Sequence, residues 1–402
     1  MDLNTLLINK EFSLNDNITC SGLNEEHEKY FGAVSAPIIQ TSLFVQKDYQ
    51  SYCDDMIHEA ERFIYSRGLN PTVDMVERKI ASLEMGESCR CFASGMGAIS
   101  AALMANLNSH DHILLVNNIY GPAIELIKQM AVKYQIQYDT LFDGSIENIK
   151  RHIKPNTKVI YTESPGTMTM KIVDLAEIAQ LAKSHNITTI IDNTWPTPVF
   201  QKPLTLGFDI VIHSCTKYLG GHSDLIAGAV VTSAERMNPI RDFSHQLLGA
   251  VLSPFAAWLL LRGIRTLPMR MRLHQENTIK ILDYLNTRTD VKNILHPYFA
   301  NPQEAQIIRK QMLGFSGLFS FEIENANFAK IKKFIDCCKV FKIGCSWGSY
   351  ESLIISPNRG YNEDALKQSN IGTGLIRLSV GQEDPDLLIS DLDAAFKAIK
   401  SS

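Results

Sequence analysis

Lys217 is the residue whose surroundings point most directly to chemistry. It sits in HSCTKYLGGHSD, His213 to Asp224, directly after Phe208 to Ile212, an apolar run rich in β-branched residues and short enough for a buried strand. Ser214 and Thr216 precede it, and Gly220 and Gly221 follow it and allow a tight turn. Burial at a strand end penalises an ammonium group, lowers the lysine pKa and leaves the free amine that attacks carbonyls. The two hydroxyls have the size and polarity to hold a phosphate. A Schiff-base lysine beside a phosphate pocket is what pyridoxal phosphate requires; a surface lysine on a turn is the alternative. Asp192 lies 25 positions earlier and closes TTIIDN, another β-branched run. An isolated buried carboxylate is costly, or is protonated. One that meets a cationic ring nitrogen is stabilised as the anion, and the ring can then draw electrons from a substrate α-carbon. The other reading makes Asp192 an N-cap.

Further candidates are scattered along the chain. Tyr120, in NNIYGP, could stack on a cofactor ring or be a packed aromatic. Ser94-Gly95-Met96-Gly97 joins a short apolar run to an alanine-rich helix from Ala98, and such a junction presents free backbone N–H groups to an anion. In YSRGLNPT, Tyr65 to Thr72, Tyr65 and Arg67 could reach a phosphate, or Arg67 could be a surface arginine. Two later loops are GCSWGSYESL, Gly344 to Leu353, and GLIR, Gly374 to Arg377, which leads into a strand. Apolar neighbours around Arg377 call for an anionic partner, either an amino-acid carboxylate or a structural salt bridge.

These residues need elements to bring them together. The pattern alternates over most of the first half: strands at Ile113–Val116, Tyr138–Leu141, Val159–Glu163, Thr188–Asp192, Phe208–Ile212 and Ala227–Val231, with helices at Gly121–Lys133, Ile146–His152 and Val173–His185. Alternating βαβ units imply an α/β fold with a mostly parallel sheet covered on both faces. Ligands in such sheets sit beyond the carboxyl ends of the strands. Tyr120, Glu163, Asp192 and Lys217 all fall at those ends, so they can converge. Three segments are expected: an N-terminal arm over 1–60, in which Pro37 to Phe44 runs extended; a large cofactor-binding domain over 61–255; and a smaller C-terminal α+β domain over 256–402.

Composition excludes several function classes. The 402 residues are 45% hydrophobic and 20% charged with a net charge of −4, so no basic stripe calls for nucleic acid and no polybasic cluster for a membrane surface. No apolar run reaches the length of a membrane span, and Met1 to Phe12 lacks the pattern of a signal peptide. The eight cysteines show neither CxxC nor zinc spacing, which fits free buried thiols, no metal site and a cytoplasmic location.

The motifs YSRGLNPT, FASGMGA, IYGP, ESPGTMTM, IDNTW, HSCTKYLGGHSD, SWGSYESL and GLIRLSVGQED occur in an order that resembles the transsulfuration family. These are fold-type I, aspartate aminotransferase-like, pyridoxal phosphate enzymes of cysteine and methionine metabolism, and the likeness runs from about Pro37 to the C-terminus. The resemblance implies that Lys217 carries the cofactor and then acts as acid and base, that Asp192 pairs with the pyridine nitrogen and that Tyr120 stacks on the ring. Gly95, Met96, Ser214 and Thr216 would bind the phosphate. Tyr65 and Arg67 would reach the phosphate of a neighbouring subunit, which implies at least a dimer and usually a tetramer. Arg377 would hold the substrate carboxylate, helped by Ser346 and Trp347. ESPG and SWG with YESL look like the bacterial cystathionine β-lyases, whereas γ-type members read ESPSNP, with an asparagine where Thr167 stands. Pro122 occupies the place of the reactive cysteine of methionine γ-lyases, and Cys345 before Ser346 is a departure from the β-lyase pattern. The implied activity is carbon–sulfur β-elimination from cystathionine, with γ-synthase or γ-lyase chemistry as the alternative.

Overall fold

The computed structural model describes residues 14–21, 25–369 and 371–400. The segment read for a signal peptide, Met1 to Phe12, lies outside them. Seven strands form the first sheet: β1 (Ser88–Phe92), β2 (His112–Val116), β3 (Gln137–Leu141), β4 (Thr157–Glu163), β5 (Thr188–Asp192), β6 (Ile210–His213) and β7 (Gly228–Thr232). Their order is β1-β7-β6-β5-β4-β2-β3. Strands β3, β2, β4, β5 and β6 are mutually parallel, and β7 runs antiparallel between β6 and β1.

Strand periodicity splits the interior in two. Leu114, Val116, Ile160, Ile191 and Val211 enter one core, while their neighbours Ile113, Leu115, Val159, Ile190, Ile210 and Ile212 enter another on the opposite face. Both faces are covered, so the strands read as unbroken apolar runs rather than alternating ones. Each fully buried Ile or Leu contributes roughly 1.5–3 kcal/mol, which fixes strand register firmly.

Helix starts are set by side chains. Asn70 accepts the Thr72 N–H ahead of the helix Pro71–Glu84. Ser94 accepts the Gly97 N–H at 3.0 Å, so the next helix begins at Gly95 rather than at Ala98. The arm segment 37–44 holds no helix or strand, and Leu43 bridges Tyr65.

A second sheet contains β8 (Val291–Leu295), β9 (Leu318–Ile323), β10 (Lys342–Ile343), β11 (Leu353–Ile355) and β12 (Leu375–Ser379), in the order β10-β11-β12-β9-β8. Two helices, Pro254–Ile264 and Leu267–Asn286, lead from the first sheet towards it. Leu260, Ile264, Leu267 and Met271 pack into a core of the first sheet, whereas Ile281, Leu282 and Leu285 pack into that of the second. Arg377 is a correction to the reading of GLIR as a loop that leads into a strand. It lies in the middle of β12, opposite Ser320 and Ile355, because the apolar pattern of the strand already begins at Leu375. Among the described residues no helix is long and apolar enough to cross a membrane. No group of three or more metal-ligating side chains is placed to hold a metal ion among those residues either.

Candidate active site

The site forms where β2, β4, β5 and β6 end. Strand β6 finishes at His213 and the chain turns through Ser214 to Lys217. The Ser214 N–H donates to Thr194 Oγ1 at 2.8 Å. The turn beyond Lys217 is held by Arg270, which donates to the carbonyl of Tyr218 at 2.6 Å and that of Gly263 at 2.7 Å. Gly221 has φ +69°, and a Cβ there would stand 2.1 Å from Arg270 Nη1, so this position requires glycine on two counts. Burial without a carboxylate partner among the described residues pulls the Arg270 pKa down to about 10.

Lys217 Nζ donates to Ser346 Oγ at 2.7 Å and lies 5.5 Å from the centre of the Trp347 ring. Burial lowers its pKa first, the Arg377 charge adds to this, and Cys345 and Asp192 oppose it. The expectation of a desolvated amine at a strand end is thus met by geometry that includes a hydroxyl acceptor from the C-terminal half.

Asp192 Oδ1 accepts both the N–H and the hydroxyl of Thr194, the first at 3.0 Å. Asp192 is therefore bonded two residues ahead in a tight turn instead of capping a helix. Its Oδ2 has no hydrogen-bond partner among the described residues. Burial raises its pKa, while Thr194, His213 and Lys217 act the other way. A cation at Oδ2 would complete this set, which is what a protonated pyridine nitrogen offers.

Glu163, at the end of β4, is only 7% exposed. Its Oε1 accepts the Tyr120 N–H at 2.7 Å and its Oε2 the Thr167 hydroxyl at 2.8 Å. Burial and repulsion from Asp192 push its pKa up to about 8. Tyr120 itself precedes the helix Gly121–Tyr134 and is 46% exposed, leaving surface available for stacking.

The remaining phosphate candidates meet nearby. A Cβ on Gly95 would lie 2.8 Å from Ser214 Oγ and 2.9 Å from Ser214 Cβ, so the first turn of the helix Gly95–Asn106 rests directly on Ser214. The N–H groups of Gly95 and Met96 in that turn lack intrahelical acceptors. The Thr216 hydroxyl donates to the Ala227 carbonyl at 3.2 Å and accepts the Ala227 N–H at 3.1 Å. Thr216 is thus tied to its neighbour, whereas the Ser214 hydroxyl faces the helix start. Two N–H donors, a hydroxyl, a desolvated amine and a carboxylate oxygen awaiting a cation fit pyridoxal phosphate.

Arg377 Nη2 donates to the carbonyls of Cys345, at 3.0 Å, and Ser346, at 3.3 Å. Among the described residues no carboxylate pairs with it, and burial pulls its pKa down to about 10. Cys345 is exposed beside it, unlike the buried thiols Cys20, Cys89, Cys91 and Cys215. Tyr65 and Arg67 are not brought to this group by any contact among the described residues. The Arg67 guanidinium lies over the Tyr65 ring at 5.2 Å. Sequence reasoning gave no role to Thr194 or Arg270 and none beyond position to Glu163. The strand-end position of Glu163 was its only signal, and backbone partners leave no signature for Arg270.

The family model for "Cys/Met metabolism PLP-dependent enzyme" matches residues 19–397. A cystathionine beta-lyase of Lactococcus lactis subsp. cremoris is 38% identical over 370 residues, covering 91% of this chain and 94% of the relative. A cystathionine gamma-lyase of Bacillus subtilis strain 168 is also 38% identical, over 372 residues, covering 92% of this chain and 95% of the relative. The crystal structure of a cystathionine gamma-lyase from Lactobacillus plantarum, complexed with L-serine, superposes with a TM-score of 0.86 at 35% identity and covers 100% of both chains.

Proposed function

Because the chain belongs to the family of pyridoxal phosphate-dependent enzymes of Cys/Met metabolism, we propose that it is a carbon–sulfur β-lyase that cleaves L-cystathionine or a related cysteine S-conjugate. Elimination followed by hydrolysis with one water gives the thiol, homocysteine in the case of cystathionine, with pyruvate and ammonia. When bound, the cofactor supplies a cationic ring that takes up the electron pair left on the substrate α-carbon. The chain's residues do the rest. Arg377 holds the substrate carboxylate. Lys217, which would hold the cofactor aldehyde at rest, removes the α-proton as the free amine that its burial favours. The Cβ–S bond breaks, the sulfur leaves with the bonding pair, and Lys217 returns a proton to it. Ser346 keeps Nζ in place and Trp347 shields it from water. Asp192 keeps the ring nitrogen protonated, Tyr120 stacks on the ring, and Gly95, Met96, Ser214 and Thr216 line the phosphate.

The observation that carries the β reading is the Lys217–Ser346–Trp347 contact. It packs the space beside the amine with an indole and leaves Lys217 directed by a single acceptor. The equal identity of a gamma-lyase relative favours a second reading, γ-elimination from cystathionine to cysteine and 2-oxobutyrate. Incubating the cofactor-loaded protein with L-cystathionine decides between them: pyruvate with homocysteine supports β-elimination, and 2-oxobutyrate with cysteine replaces it by the γ reading.

The same reading makes the enzyme at least a dimer, with Tyr65 and Arg67 serving the phosphate of the partner subunit, and the usual assembly a tetramer in the cytoplasm. It divides the chain into an arm, a cofactor-bearing part and a smaller C-terminal part. The junction of the last two falls at residues 255–256, just after the start of the helix Pro254–Ile264.

A further inference from the structure

Tyr120 has an exposed side chain, so packing on its open side does not fix it. What fixes it lies behind. The segment 117–120 after β2 and the segment 163–171 after β4 are laced together. Asn117 Nδ2 donates to the carbonyls of Glu163, at 2.8 Å, and Lys171, at 2.9 Å. The Thr167 N–H donates to the Asn118 carbonyl at 2.8 Å, and the Thr169 hydroxyl to Asn118 Oδ1 at 2.9 Å. A Cβ on Gly166 would stand 2.6 Å from the Asn117 amide, so the two segments touch too closely for any side chain there. Glu163 spans this unit with both oxygens: one takes the Tyr120 N–H and the other the Thr167 hydroxyl.

We propose that Glu163 is a positioning residue that sets the height and tilt of the Tyr120 ring over the cofactor, with Thr167 as its clamp. Thr167 thereby acts on the cofactor side of the site through Glu163 and Tyr120, and its hydroxyl is committed away from the substrate. This rests on the reading of Lys217 as the cofactor lysine and Tyr120 as the stacking residue.

The test uses the cofactor-loaded enzyme with Thr167→Val, which keeps the shape and removes the donor, and Thr167→Ser, which keeps the donor. Two quantities are read: visible circular dichroism per bound cofactor, which reports the asymmetry imposed by the ring, and kcat/KM. Thr167→Val is expected to weaken the dichroic band and lower kcat/KM about tenfold, as befits one lost hydrogen bond. Thr167→Ser restores both. Glu163→Gln keeps an acceptor for the Tyr120 N–H and is expected to retain the band. A Thr167→Val enzyme with a wild-type band overturns the proposal even if its thermal midpoint falls, because a merely structural threonine would do only that. A wild-type protein without any cofactor band overturns the underlying reading, and the proposal with it.

Discussion

Arg377 and Glu163 both make hydrogen bonds that sequence patterns do not display. Arg377 looked like half of an ion pair, yet among the described residues its hydrogen-bond partners are two carbonyls of the loop that carries Ser346. That leaves the guanidinium a net cation facing the site. Arg377→Lys is expected to reduce kcat/KM roughly tenfold to a hundredfold through KM, because a point charge cannot reproduce the planar fork; an unchanged KM would remove Arg377 from the substrate. Glu163 predicts a pH effect on the cofactor-free protein. Its carboxyl titrates at about 8 in the fold, against 4.5 ordinarily, owing to burial and Asp192. The folded state therefore holds a proton that the unfolded chain has released. The stability this provides is complete below pH 4.5 and is lost as pH rises through about 8. Glu163→Gln removes that loss, so its thermal midpoint should fall less than that of the wild type between those two pH values; parallel curves would contradict the assignment. The convergence of Lys217, Asp192 and Tyr120 beyond the strand ends was legible because the ends of strands in a parallel sheet meet on one side. The roles of Arg270 and Glu163 were not, because their partners are set by the fold.

Among the elements, the parallel run β2 to β6 was readable from its β-branched runs and intervening helices. The position of β7 between β6 and β1 was not, since no local pattern records which distant strand it joins. Strands β8 and β10, VKNIL and KI, lie at the edges of the second sheet; the first does not alternate apolar with polar residues and the second is two residues long, so neither signals a strand. Capping residues shifted boundaries by a few positions, as at Ser94. The turn after β6 is the element most exposed to substitution. Gly221→Ala would combine a left-handed backbone with a clash against Arg270. It is expected to cost about 2 kcal/mol or more, read as a lower denaturation midpoint, with weaker cofactor retention because Lys217 sits on the same turn. A midpoint equal to that of the wild type would show that the turn is slack.

At the scale of the molecule, the arm displays Phe31, Val34, Val45, Tyr49 and Ile57 to solvent, and Phe63, Tyr65, Leu247 and Leu248 add to this. Apolar exposure of this extent fits a surface covered by another copy. If Arg67 serves the partner's site, an equimolar mixture of Arg67→Ala and Lys217→Ala chains, unfolded and refolded together, should regain roughly a quarter of wild-type activity from hybrid dimers. No activity would place both residues in one subunit's site, and about half of wild-type activity, present without mixing, would leave Arg67 outside it.

Arg270 ties the halves of the chain together in a way that bears on how the molecule comes apart. It projects from a helix whose far end belongs to the second core, and it holds carbonyls of the turn next to Lys217. Trp195 Nε1 reaches the Leu318 carbonyl at 2.8 Å, and the Tyr218 hydroxyl accepts the Gly317 N–H at 2.8 Å, so other links cross the same seam. Melting the C-terminal half would leave the Tyr218 carbonyl and other buried polar groups along the seam without partners. Neither half can therefore loosen alone at low cost. Calorimetry should record one transition rather than two, and amides in β6 and β9 should exchange with solvent at matching rates.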